Sequence, residues 1–136
     1  MRSSSIKISW LFLLLSLVGM AELLYTTRTG PGVSPDSVQY IYSARTFAEG
    51  RGFLSIYVDG GNGAVTHYPP GYSMALGISA LCTPGGSLTS AGTCLGILLW
   101  GINLFLVMWL MHRYTGRTAL ALVVGFFLMT SLDLLR

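Results

Sequence analysis

The run GTCLGILLWGINLFLVMWLM, Gly92 to Met111, contains twenty residues and no charge. A helix needs about 17–25 mostly apolar residues to cross a bilayer, so this stretch predicts a membrane span. Two more runs qualify on the same ground. Ile8–Leu24 follows Arg2 and Lys7, and Thr118–Leu135 is broken only by Asp133. Spans are therefore expected over 6–25, 94–111 and 118–135. Gly71–Cys82 is shorter and ends at Pro84-Gly85-Gly86, so a re-entrant or interfacial helix over 70–82 is expected instead.

Composition agrees with a chain that lives in lipid. Of 136 residues, 52% are apolar and 10% charged, against roughly 25% charged in ordinary soluble domains. The net charge of +3 is scattered, and Lys7 is the only lysine. Without a Lys/Arg stripe, nucleic-acid binding is excluded as a reading. The basic residues also orient the chain, because cytoplasmic flanks are enriched in Lys and Arg. Arg2 and Lys7 place the N-terminus in the cytoplasm, and Arg113 and Arg117 place the turn after Met111 there too. Both hold together if Gly71–Cys82 does not cross, which makes 26–93 a large outer loop. A signal peptide ending near Gly19-Met20-Ala21 is the rival reading of the first run. The apolar residues continue through Leu23, Leu24 and Tyr25, which favours a retained anchor. The fold class expected is an all-α membrane protein: three transmembrane helices, and an outer loop holding a juxtamembrane helix and a small β-hairpin.

Within the outer loop, Ser34 is a helix N-cap and Pro35 suits the first turn. The helix should run over 35–49 and stop at Gly50. Asp36, Tyr40, Ala44 and Phe47 share one stripe; Val38, Ile41, Tyr42 and Ala48 share another; neither is strongly polar. Arg45 and Glu49 stand four apart and can pair. Phe53–Val58 and Ala64–Tyr68 read as strands of a hairpin over 53–68, turning at Asp59-Gly60-Gly61-Asn62-Gly63. Pro69-Pro70 stiffens the entry to the short helix, and the Gly/Ser/Thr-rich Thr83–Thr93 reads as a loop.

The polar residues carry the chemistry. Asp36 stands in a helix's first turn beside lipid. There it is either a dipole-stabilising carboxylate, a general base for an acceptor hydroxyl, or a ligand to a divalent cation. His67 is either a satisfied strand residue or a donor to a phosphate. Tyr68, Tyr72 and Trp100 fit an interfacial aromatic belt. Cys82 and Cys94 permit a bridge in an oxidising compartment or remain free thiols. Asn103, mid-span, suits a bond to a neighbouring helix. There is no Gly-rich phosphate loop, no His-Glu-x-x-His, no Gly-x-Ser-x-Gly and no Cys-x-x-Cys.

Taken together, the motifs resemble a known family. The run Ser34-Pro35-Asp36-Ser37-Val38-Gln39-Tyr40 through Gly50-Arg51-Gly52-Phe53 is similar to the first outer loop of GT-C-fold membrane glycosyltransferases of the mannosyltransferase and aminoarabinose-transferase kind. The likeness continues in Tyr68-Pro69-Pro70-Gly71-Tyr72 and in Trp109-Leu110-Met111-His112-Arg113-Tyr114-Thr115-Gly116, so it covers nearly all of residues 1–136. It implies transfer of a sugar from a polyprenyl-phosphate donor to an acceptor on the non-cytoplasmic face of a bacterial cell or inner membrane. It further implies Asp36 as the loop carboxylate near the reacting sugar. Tyr40, His67, Tyr68 and Tyr72 become substrate-binding residues, with the Tyr68–Tyr72 turn near the lipid phosphate. Some relatives carry a Lys immediately before the Pro-Pro pair. Tyr68 stands there instead, and His67 is the nearest substitute. Such enzymes have more spans, so the chain is expected to be an N-terminal portion. The alternative of another class is a small non-catalytic multi-pass membrane protein or subunit.

Overall fold

The computed structural model describes residues 2–30, 32, 34–83 and 87–131, with side chains from residue 8 onward. Five α-helices are found among the described residues: α1 (Arg2–Thr26), α2 (Pro35–Ala48), α3 (Pro70–Leu81), α4 (Leu88–Thr115) and α5 (Thr118–Thr130). Two short strands, β1 (Leu54–Ser55) and β2 (Gly63–Ala64), form an antiparallel ladder between α2 and α3. The chain divides into two compact units: Met1–Thr29 with Gly96–Arg136, and Gly30–Leu95.

In the first unit, Phe12 of α1, Leu104 and Met108 of α4, and Ala121 and Met129 of α5 make the core. Glycines let these helices approach: a side chain on Gly101 would strike Met20, and one on Gly125 would strike Met108. Ile8–Thr26 and Leu88–Thr115 are long and apolar enough to cross a membrane, and only 17% of each apolar window is buried. Leu14, Leu24 and Phe127 are among the large apolar side chains left exposed. The third expected span is narrower in what is seen. α5 has 13 residues, about 20 Å at 1.5 Å per residue, against a hydrocarbon core of about 30 Å. Positions 132–135, with Asp133, lie outside the described residues, as do the Pro84-Gly85-Gly86 break and the side chains of Arg2 and Lys7. Trp100 departs from the belt expected of it. It lies within α4, and its indole N–H is buried near Gly19 with no acceptor among the described residues. Asn103 is exposed and bonds no neighbouring helix among the described residues.

The second unit is built on α2 and α3. Ser34 and Ser37 satisfy each other's backbone N–H groups in a capping box, with Pro35 in the first turn. The helix ends at Ala48, one residue short of expectation, where Gly50 turns into the left-handed region at φ 74°. Ala44, Leu76, Ala80 and Ala91 form the core. Small residues allow close packing here: a Cβ on Gly77 would lie 2.9 Å from the Ala44 carbonyl oxygen.

Four expectations need correction. The hairpin exists, with Leu54 opposite Ala64 and Ser55 opposite Gly63, but its strands are two residues long. Ile56–Val58 already turn away from the ladder, and Asp59, Gly60 and Gly61, all at positive φ, wind a 3-10 turn where the turn is expected. Leu88–Thr93 is helix and not loop. Ser87 caps it, its Oγ accepting from the Ser90 N–H at 3.3 Å, and Ala91 is fully buried, so packing overrides a weak helical composition. Glu49 pairs with Arg51 at 2.6 Å rather than with Arg45. Lastly, α2 does carry a polar stripe. Gln39, Ser43 and Thr46 are buried, at 0%, 2% and 0% exposure.

Candidate functional site

That stripe anchors the segment before the site. Gln39 is saturated. Its amide N–H groups donate to Ser43 Oγ (2.7 Å) and the Leu54 carbonyl (3.2 Å), while its oxygen accepts from Ser55 Oγ (3.0 Å) and the Ile56 N–H (3.2 Å). Ser43 donates to the same Leu54 carbonyl at 2.8 Å. Thr46 donates to the Gly52 carbonyl at 2.8 Å and accepts from the Leu54 N–H at 3.2 Å. Buried polar groups are costly unless paired, and here the helix supplies the pairs that the short ladder lacks. These three residues were missed by sequence reasoning; their i, i+4, i+7 spacing was the available signal. Tyr42 fixes the turn tip, donating to the Gly61 carbonyl at 2.7 Å.

The chain then returns to the start of α2. Tyr68 Oη donates to Asp36 Oδ1 at 2.8 Å. Tyr40, one helical turn beyond Asp36, meets Tyr68 edge-on at 5.3 Å and Tyr72 edge-on at 5.2 Å. Such T-shaped pairs are each favourable by about 0.5–1.5 kcal/mol. Ser73 donates to the Tyr40 carbonyl at 3.3 Å, and Tyr57 Oη to the Pro35 carbonyl at 3.1 Å. Of the five site residues expected, the structure thus gathers four: Asp36, Tyr40, Tyr68 and Tyr72. His67 is not among them. It is exposed and lines a shallow cavity of about 230 Å³ with Tyr57, Thr66 and Tyr68.

Electrostatics follow from this contact. The hydrogen bond to Asp36 is the main cause that pushes the Tyr68 phenol above its ordinary range, with burial and the nearby carboxylate charge adding to it. Tyr68 therefore serves as a proton-bearing donor at neutral pH. Asp36 is exposed, and its second oxygen has no hydrogen bond among the described residues, so it can accept a proton or a hydroxyl. A cation site is poorly provided for. Among the described residues no three His, Cys, Asp or Glu side chains come together, and the partner of Asp36 is a phenol. Cys82 and Cys94 are free and exposed.

Compared with known proteins, the chain matches no family model, no curated protein and no solved structure.

Proposed function

We propose that the chain belongs to a membrane glycosyltransferase that moves a sugar from a polyprenyl-phosphate donor to an acceptor hydroxyl on the non-cytoplasmic face. The observation that carries this reading is the Tyr68–Asp36 hydrogen bond. It joins two sequence motifs that the resemblance places in one site. In this reading Asp36 takes the acceptor's proton, the acceptor oxygen bonds to the sugar's anomeric carbon, and the carbon–phosphate-oxygen bond breaks with its electrons leaving on the lipid phosphate. Tyr68 holds the carboxylate in one orientation, and the rings of Tyr40 and Tyr72 wall the site. Two long apolar helices with exposed surfaces support membrane residence. The test is sugar transfer from a radiolabelled polyprenyl-phosphate donor in membranes holding equal amounts of each variant. Asp36→Asn should lower turnover by about two orders of magnitude, the usual scale for loss of a general base. Near-wild-type transfer would end the reading.

A second reading is a non-catalytic membrane subunit. Tyr57 and Tyr68 both tie the segment after β1 to the first turn of α2, which is what a purely structural cross-link would do. It is favoured if Asp36→Ala lowers the unfolding temperature while transfer by the assembled protein is unchanged.

A further inference from the structure

We propose that a groove beside the C-terminal half of α2 binds the phosphate headgroup of an anionic bilayer phospholipid. The groove has a volume of about 500 Å³ and is walled by Ile41 and Arg45 of α2, its C-cap Glu49, Leu81 of α3, and Leu88 and Thr89 of α4. Its charge balance is decided by the Glu49–Arg51 pair. Arg51 reaches the same Glu49 oxygen through two nitrogens, at 2.9 and 2.6 Å. Arg45 is left exposed, with no ion pair among the described residues, so the groove carries one uncompensated positive charge.

The remaining lining is mixed, as an amphiphile requires. Thr83, Ser87 and Thr89 offer hydroxyls beside Arg45, while Ile41, Leu81 and Leu88 present apolar surface, and Leu81 is 72% exposed. A free phosphate would leave that wall unused, whereas a lipid's glycerol and upper chain would cover it. Leu88 is the first residue of α4, which is long and apolar enough to span the bilayer. The end of such a helix is where headgroups lie. The proposal rests on membrane residence and is independent of sugar transfer. The groove lies on the other half of α2 from Asp36.

The full chain is reconstituted in vesicles of equal phosphatidylglycerol and phosphatidylcholine and extracted in mild detergent. Retained lipid is then counted by mass spectrometry. Wild type should keep phosphatidylglycerol in preference. Arg45→Gln should lower that preference about fivefold, the factor that one arginine's attraction to an anionic lipid surface provides. Arg45→Lys should keep most of it. Ala48→Trp, which fills the groove from an exposed position without altering charge, should also lower it. Arg113→Gln, near the opposite end of α4, should leave it unchanged. Undiminished preference in both Arg45→Gln and Ala48→Trp overturns the proposal, and so does displacement of the lipid by inorganic phosphate. A chain released from membranes by carbonate overturns membrane residence as well. Loss of sugar transfer in Asp36→Asn with lipid preference intact leaves the groove standing by itself.

Discussion

Ala44 and Gly77 meet where α2 and α3 cross: a side-chain carbon on Gly77 would lie 2.9 Å from the Ala44 carbonyl oxygen and 3.1 Å from the Phe47 ring. The obstacle is backbone and cannot swing aside as a flexible side chain would. Gly77→Ala should therefore force the helices apart and cost about 1–3 kcal/mol despite the better helix propensity of alanine. Because Ser73 and Tyr72 ride on α3, the Tyr40–Tyr72 contact should loosen with it. Denaturant unfolding in detergent is the measurement, and unchanged stability would contradict the close approach.

Gln39→Leu should destabilise the second unit by roughly 3 kcal/mol. It keeps the volume but leaves the Ser55 hydroxyl and the Ile56 N–H short of a partner, and unpaired buried groups cost about 1–3 kcal/mol each. Hydrogen exchange at the Ile56 amide should accelerate sharply, while exchange in α5 stays as it was. Equal protection in both proteins would show that the Gln39 bonds hold nothing in place.

Tyr68 offers a pH dependence with a definite sign. Its folded pKa is raised above the ordinary phenol value, so folding favours the protonated form. The resulting stabilisation is fully present below the unfolded pKa of about 10 and is lost as pH rises through the higher folded value. Ultraviolet titration of phenolate, compared with Tyr68→Phe, isolates this residue. In Asp36→Ala the same titration should move to lower pH. Coincident curves in wild type and Asp36→Ala would refute the contact.

The orientation argued from the basic residues predicts Asn62 outside and Tyr114 inside. Both are exposed, so each accepts a probe cysteine once Cys82 and Cys94 are replaced. A membrane-impermeant maleimide should label position 62 in intact cells and position 114 only after lysis. Labelling at 114 in intact cells would invert the arrangement.

What the residues announced in advance, and what they concealed, follows from range. α2 was readable because Ser34, Pro35 and Gly50 act within a turn of where they stand. The Asp36–Tyr40 stripe was readable for the same reason. The resemblance puts Tyr68 in the same site, but its direct bond to Asp36 was not readable, because the separation is 32 residues and depends on how a loop closes. Gln39, Ser43 and Thr46 fall outside the two stripes read from the sequence, and nothing local says that a hairpin will cover them. The first turns of α4 looked like loop because Ser, Thr and Gly are indifferent helix formers. Only burial of Ala91 beside Leu76 and Ala44 decides otherwise. His67 was grouped with the site as the nearest substitute for a Lys before Pro69-Pro70, but the chain bends at His67 and Tyr68, and only the Tyr68 hydroxyl reaches Asp36.

A ladder of two residues on each side cannot specify its own alignment, since a slip by one position would forfeit little pairing. The choice is made by a helix. Gln39 has two donors and two acceptor positions; Ser43 of its own helix takes one donor, and Leu54, Ser55 and Ile56 of the hairpin take the other three positions. A shifted hairpin would offer this amide the wrong sequence of groups at those three and leave it unpaired in a dry place. The side chain of residue 39 thus acts as a template, and the path of the chain from Leu54 to Ile56 is a copy of it.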